Sequence, residues 1–186
     1  MYSNQLLGQI QSIPGVMRSS IPELGQAVHA ALDPDFARSL ERIFVCGCGD
    51  SHHAALTSEL AFETLAGIPT QAMTSMHFAR YTAQNLPQQS PANILVIGIS
   101  VSGEVARTIE ALQLGRAAGA STLALTSSPT SRLAAAAQYT LRIPAPAATP
   151  SSDLPVPGSV TYVLNQLVLF RLGIVLGQNR GVLTQH

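Results

Sequence analysis

The spacing of hydrophobic positions changes along the chain, and each change marks a different kind of element. Over residues 1–40 apolar side chains recur every three or four positions, with Leu6, Leu7, Ile10 and Ile13 on one stripe and Ile21, Leu24, Ala27, Val28 and Leu32 on another. That period predicts helices lying against a core. From Arg42 onward the pattern becomes short, unbroken apolar runs at residues 42–46, 93–99 and 121–126, each followed by turn residues. Runs without polar alternation are expected of strands covered on both faces. Between them, residues 51–66 and 104–118 read as helices, the second stopped by Gly119 as a C-terminal cap. Weaker segments keep the same rhythm, 70–74 and 139–143 as strands and 75–82 and 131–137 as helices. The alternation predicts an α/β fold, a parallel sheet with helices on both faces and its ligand at the carboxyl ends of the strands.

Residues 144–157 are rich in Pro, Ala and Ser and predict a long loop. An apolar helix resumes over 158–177, with Val163, Leu164, Leu167, Val168, Leu169 and Ile174. It must pack on something, so the loop is expected to cross the rim of the sheet near a bound ligand. The expected organisation is a helical segment over 1–40 packing on the core, followed by one α/β domain over 41–186.

Composition narrows the partners. A chain of 186 residues, 46% hydrophobic, can bury a single sizeable core. Ten basic and ten acidic residues cancel, and no basic cluster could neutralise a run of phosphates, which argues against a nucleic-acid partner. A charged fraction of 11% is low for a solvated monomer, so part of the surface is expected to lie against a second subunit or domain. The richest apolar stretch, 160–176, is interrupted by Asn165, Gln166 and Arg171, and no membrane span is expected. The N-terminal residues lack the pattern of a secretory signal, and Cys46 and Cys48 are too few and too close for a disulfide framework. A cytoplasmic location is the expectation.

Three loops that would share one rim of the sheet carry the candidate chemistry. The first is Gly47-Cys48-Gly49-Asp50-Ser51-His52-His53, a glycine turn between strand and helix that suits close backbone approach to an anion. Such turns are also common without any ligand. The second, Gly98-Ile99-Ser100-Val101-Ser102-Gly103-Glu104, combines two hydroxyls, a glycine and a helix start, a cradle for a phosphate monoester that requires no cation. Its plainer reading is a serine cap on the following helix. The third, Leu125-Thr126-Ser127-Ser128-Pro129-Thr130-Ser131, is expected to converge with the other two on one pocket.

These motifs, in this order and spacing, resemble the sugar isomerase (SIS) family. The Cys48-Gly49-Asp50-Ser51 turn, the Ser100-Val101-Ser102-Gly103-Glu104 loop and the serine loop before Ser131 carry the likeness. The stretch Phe62-Glu63-Thr64-Leu65-Ala66-Gly67-Ile68-Pro69 is similar to the first SIS half of the glutamine:fructose-6-phosphate amidotransferase family. The resemblance implies a three-layer α-β-α sandwich with a five-stranded parallel sheet, flavodoxin-like but without a nucleotide. It implies a hexose or hexosamine 6-phosphate as ligand, with the phosphate on Ser100, Ser102 and the amides around Val101 and Gly103. It further implies that Cys48, Gly49, Asp50 and Ser51 line the pocket and that Ser159 approaches the sugar. Val101 stands where the amidotransferases have glutamine, and Val105 where they have a phosphate-holding threonine, so fewer polar contacts are expected here.

Isomerisation needs a base beside C1 and C2. The resemblance puts the principal base in a second SIS half and a ring-opening histidine in a neighbouring subunit. Single-domain relatives carry a glutamate just after the late Gly-Ser, but this chain reads Gly158-Ser159-Val160-Thr161-Tyr162. His52 and His53 are the remaining acid–base candidates, and adjacent helix positions point about 100° apart, so at most one faces a pocket. A metal site at Asp50, His52 and His53 lacks the separated histidine pair of helical zinc sites. Glu104 is accounted for by a place in the first helical turn, Glu59 and Glu63 by mid-helix positions facing solvent or an interface, and Cys48 by a small loop-lining thiol.

No residue is assigned as catalyst, and no metal or cofactor is expected. A dinucleotide site is disfavoured by the incomplete glycine fingerprint. The expected function is half of a sugar-phosphate isomerase or amidotransferase/deaminase-like site, completed by a homodimer partner or second SIS domain; the alternative is a non-catalytic phosphosugar sensor.

Overall fold

The computed structural model describes residues 2–144 and 158–184. Five strands, β1 (Arg42–Gly47), β2 (Thr70–Thr74), β3 (Ile94–Ile99), β4 (Ser121–Thr126) and β5 (Tyr139–Arg142), form one sheet in the order β2-β1-β3-β4-β5. Every neighbouring pair is parallel. The three inner strands are buried along almost their whole length, whereas β2 and β5 at the edges alternate buried with exposed positions. The unbroken apolar runs are therefore the central strands, and the weak runs are edges.

The helices α1 (Tyr2–Ala31), α2 (Pro34–Ser39), α3 (Asp50–Leu56), α4 (Glu59–Ala61), α5 (Ser75–His77), α6 (Ala106–Ala117), α7 (Arg132–Ala136) and α8 (Ser159–Asn179) cover both faces. Ile43, Val45, Leu95, Ile97, Leu123 and Leu125 point to one side, where Leu24, Val28 and Leu32 of the N-terminal segment meet Leu164, Val168 and Leu172 of α8. Phe44, Cys46, Val96 and Ala124 point to the other, against Phe78, Ile109, Leu112 and Leu133. The result is the expected three-layer sandwich. The first apolar stripe contributes less than its pattern suggested, because Leu7 and Ile10 of α1 are exposed while Ile13 and Val16 reach the core.

The predicted helix over 51–66 is broken. Thr57 Oγ1 donates to the Ala54 carbonyl and Ser58 Oγ to that of Ala55, local bonds that compete with the helical ladder. The chain restarts as the single turn α4 and runs into a π-helical turn, Phe62–Ala66. Glu59 and Glu63 do not simply face solvent: their carboxylates accept the N–H groups of Ala72 at 2.5 Å and Thr70 at 3.3 Å. Two carboxylates thus occupy donors on the outer side of edge strand β2, which hinders pairing with another chain.

The predicted loop over 144–157 lies, apart from Pro144, outside the described residues. The apolar helix after it is present as the 21-residue α8, whose best window has a mean hydropathy of 1.6. By length and composition such a helix could cross a membrane, yet 56% of that window is buried inside the domain. After α8, Arg180 reaches back across the fold. Its Nη1 donates to the carbonyls of Ala37, Arg38 and Leu40, and its Nε donates to that of Ala66. One guanidinium therefore closes the end of α2 and the end of the π-helical turn against the C-terminus of α8. Charge-assisted bonds of this kind contribute about 1.5–3 kcal/mol each before coupling, so Arg180→Ala should lower stability by at least about 2 kcal/mol, read as a shifted urea midpoint.

Candidate functional site at the carboxyl edge of the sheet

The chain leaves β1 toward β2 on one side and β3 toward β4 on the other, so the loops after β1 and β3 diverge at the strand-order reversal. That is where a doubly wound sheet opens a crevice. After β1 the polypeptide turns at once into α3. A Cβ on Gly47 would lie 2.7 Å from the Ser51 carbonyl carbon and 2.8 Å from the His52 nitrogen. Only glycine lets the first turn of α3 sit on the strand end. The Gly49 carbonyl accepts the N–H groups of His52 and His53 and starts the helix.

After β3 the chain makes a tight turn from Ser100 to Gly103. The Gly103 N–H donates to the Ser100 carbonyl at 2.9 Å and to Ser100 Oγ at 3.1 Å. Gly103 has φ of 71°, and a side chain there would collide with Ser131 and lie 2.9 Å from Thr126 Oγ1. Behind the turn, the Val101 carbonyl accepts from Ser127 N–H and Thr126 Oγ1, and the Gly103 carbonyl accepts from Leu133 N–H. The third loop therefore backs the second instead of converging beside it, a correction to the expectation of three loops lining one pocket. Among the described residues, no acceptor takes the N–H groups of Val101 or Ser102. The hydroxyl oxygens of Ser100 and Ser102 each accept a backbone N–H, which leaves both hydroxyl protons available to a ligand.

The cavity between these loops and α8 has a volume of about 360 Å³, within the size range of small-ligand sites. Cys48, Asp50 and Ser51 line it from the first loop, and Ser100, Val101 and Ser102 from the second. Ser159 lines an adjoining cavity of about 390 Å³ that shares Asp50 and Tyr162 with the first. Gly49 and Gly103 shape the two turns without lining either space. Residue-by-residue reading missed Thr161, Tyr162 and Asn165, which line the cavity from one side of α8. Their signal was the polar spacing within an apolar helix, i, i+1 and i+4.

Among the described residues no lysine or arginine lines this cavity, and Asp50 is its single carboxylate. Of the two histidines, His53 lines the adjoining cavity, and His52 lines neither. Burial, then the neighbouring His53, holds His52 below the usual imidazole range, so it favours the neutral form. Burial pushes the Cys46 thiol far up, and both thiols are free. Cys48 Sγ lies 3.9 Å from Thr108 Oγ1, with no base beside it among these contacts. No cluster of three metal-ligating side chains occurs among the described residues.

Glu104 needs a second correction. The helix α6 begins at Ala106, with Val105 at the N-cap, so Glu104 precedes the first turn. Its carboxylate accepts from Arg132 Nε at 2.6 Å and from the Arg132 N–H at 3.1 Å, tying the turn to α7. Those bonds, the side-chain one foremost, hold its carboxyl below the usual range. The plainer reading of the loop, a serine cap on the following helix, does not hold: the N-cap position is Val105, which supplies no side-chain bond to the helix start.

The SIS domain family model matches residues 37–172, and the chain belongs to that family. It is 33% identical over 160 residues to the glutamine–fructose-6-phosphate aminotransferase (isomerizing) of Helicobacter pylori, covering 86% of this chain and 25% of that protein. It is 29% identical over 132 residues to the fructoselysine 6-phosphate deglycase of Escherichia coli O157:H7, covering 71% of this chain and 36% of the relative. Among solved structures, the C-terminal domain of the Francisella tularensis glucosamine-fructose-6-phosphate aminotransferase superposes with a TM-score of 0.73 at 16% identity, covering 97% of this chain and 50% of that one. The chain thus spans about a quarter of the length of the first curated relatives it matches.

The empty N-cap gives a test of this geometry. Val105→Thr would place a hydroxyl where α6 has unpaired N–H groups. It should raise stability by about 0.5–2 kcal/mol, read from urea unfolding, while an unchanged or lower midpoint would contradict the cap geometry.

Proposed function

We propose that the cavity binds a sugar phosphate, with the phosphate on the Ser100–Gly103 turn and the sugar extending toward Asp50, Ser51 and Ser159. The observation that carries this reading is the set of donors on the turn: the hydroxyl protons of Ser100 and Ser102 and the N–H groups of Val101 and Ser102, unpaired among the described residues. The 12-residue α6 follows directly, and its N-terminal dipole favours an anion at the same place. Phosphate recognition here uses dipoles and hydroxyls, with no cation in the lining.

The chain supplies a binding half of an aldose–ketose isomerase or an amidotransferase/deaminase-like site. Three observations support that. The family relatives are sugar-phosphate enzymes by name, the matched part of this chain makes up 25% of the aminotransferase and 36% of the deglycase, and the ionisable groups that line the cavity among the described residues are Cys48, Asp50 and Tyr162. The base for proton transfer then comes from a second SIS domain or from a homodimer partner, and the low charged fraction of 11% fits a covered surface. A cytoplasmic location follows from phosphorylated sugars as ligands and from two free thiols.

Calorimetric titration with fructose 6-phosphate, glucosamine 6-phosphate and glucose 6-phosphate, followed by solvent proton exchange at C1 and C2, tests both parts. At least one ligand should bind, and the monomeric chain should not catalyse exchange. Binding of none would overturn the site, exchange by the monomer would overturn the half-site reading, and exchange that appears only with dimerisation would assign the base to a homodimer partner. The double substitution Ser100→Ala with Ser102→Ala should remove binding while the fold persists, because each lost bond to a charged phosphate costs about 1.5–3 kcal/mol.

A further inference from the structure

The helix α8 carries one polar group that nothing among the described residues accounts for. Asn165 is 1% exposed in the middle of an otherwise apolar stretch, and its Oδ1 is buried without a hydrogen-bond partner among the described residues. A buried amide end without a partner disfavours the empty fold. The assignment of O and N on the amide can be exchanged, but either choice leaves the same end unpaired.

Its polar neighbours on α8 differ in this respect. Thr161 Oγ1 already donates to the Gly158 carbonyl, and Tyr162 Oη accepts from Gln166 Nε2. Two other buried side-chain atoms lack partners among the described residues, Gln9 Oε1 and Ser127 Oγ, but neither residue lines this cavity. Asn165 does, in the same space as Ser100 and Ser102. The unpaired amide is therefore built into the wall of the cavity that holds the phosphate turn.

We propose that Asn165 is the residue that distinguishes a sugar phosphate from other phosphate monoesters, by exchanging a hydrogen bond with a sugar hydroxyl once the phosphate lies on the Ser100–Gly103 turn. This deepens the sugar-phosphate reading and rests on it. A hydroxyl can donate or accept, so it satisfies whichever end of the amide faces the cavity. The ligand class is narrowed to polyhydroxylated phosphate monoesters. A bare phosphate or an alkyl phosphate would engage the turn and leave the amide unpaired, and a site built to hydrogen-bond a hydroxyl rejects analogues that lack one.

The test compares native protein with Asn165→Leu and Asn165→Ala, using fructose 6-phosphate, inorganic phosphate and n-hexyl phosphate as probes. Both variants should bind fructose 6-phosphate at least about tenfold more weakly and bind the other two probes as the native protein does. Asn165→Leu, close in volume and free of the unpaired group, should melt at or above the native temperature. Asn165→Ala guards against a steric block by leucine. Native-like affinity of both variants for fructose 6-phosphate would overturn this inference alone. An equal loss for all three probes, with a lower melting temperature, would show a purely structural residue and overturn it too. Failure of the native protein to bind fructose 6-phosphate while it binds inorganic phosphate would overturn the sugar-phosphate reading itself, and this inference with it.

Discussion

Burial of β1, β3 and β4 on both faces is the constraint from which the rest of the molecule follows. Side chains in these strands must be apolar or small in either direction, so polar chemistry can enter the central sheet only where the strands end. The strand order reverses between β1 and β3, which separates the two loops that leave their carboxyl ends and opens the cavity there. Helix α8 closes it from the side of the larger core. The same helix that completes the apolar layer through Leu164, Val168 and Leu172 thus presents Thr161, Tyr162 and Asn165 to the cavity.

The phosphate turn is held from behind and left unsatisfied in front. Thr126, Ser127 and Leu133 occupy the carbonyls of Val101 and Gly103, Glu104 is fastened to Arg132, and Gly103 packs where no side chain fits. Such backing keeps hydroxyl and N–H donors oriented in advance, and under the proposed function that preorganisation would replace the attraction a lysine or arginine supplies to an anion. Valine at positions 101 and 105 limits the polar contacts further, so under the proposed function affinity would depend on a small number of oriented dipoles.

The sheet was legible in the sequence because two-sided burial leaves unbroken apolar runs, and Ile94–Ile99 could be read as nothing else. The two serine and glycine turns were legible because they directly follow those runs. What could not be read were features that depend on distant neighbours. The bond between Glu104 and Arg132 spans 28 positions, and Arg180 reaches carbonyls 114 to 143 positions away. Glu59 and Glu63 looked like surface positions of one long helix because the break at Thr57 and Ser58 comes from side chains taking local carbonyls, which propensity alone does not reveal. The serine loop was expected at the pocket because it ends on the same rim, but the close packing at Gly103 puts it behind the turn. Asn165 was visible only as an interruption in an apolar helix, since its meaning depends on what faces it.

The most direct test of this account is an amide chemical-shift map of the protein titrated with fructose 6-phosphate. The account predicts that the largest changes fall on the backbone amides of Val101, Ser102 and Gly103. Changes concentrated instead around Arg132 and Gln113, which line a separate surface hollow between α6 and α7, would place the phosphate on a cation and contradict it.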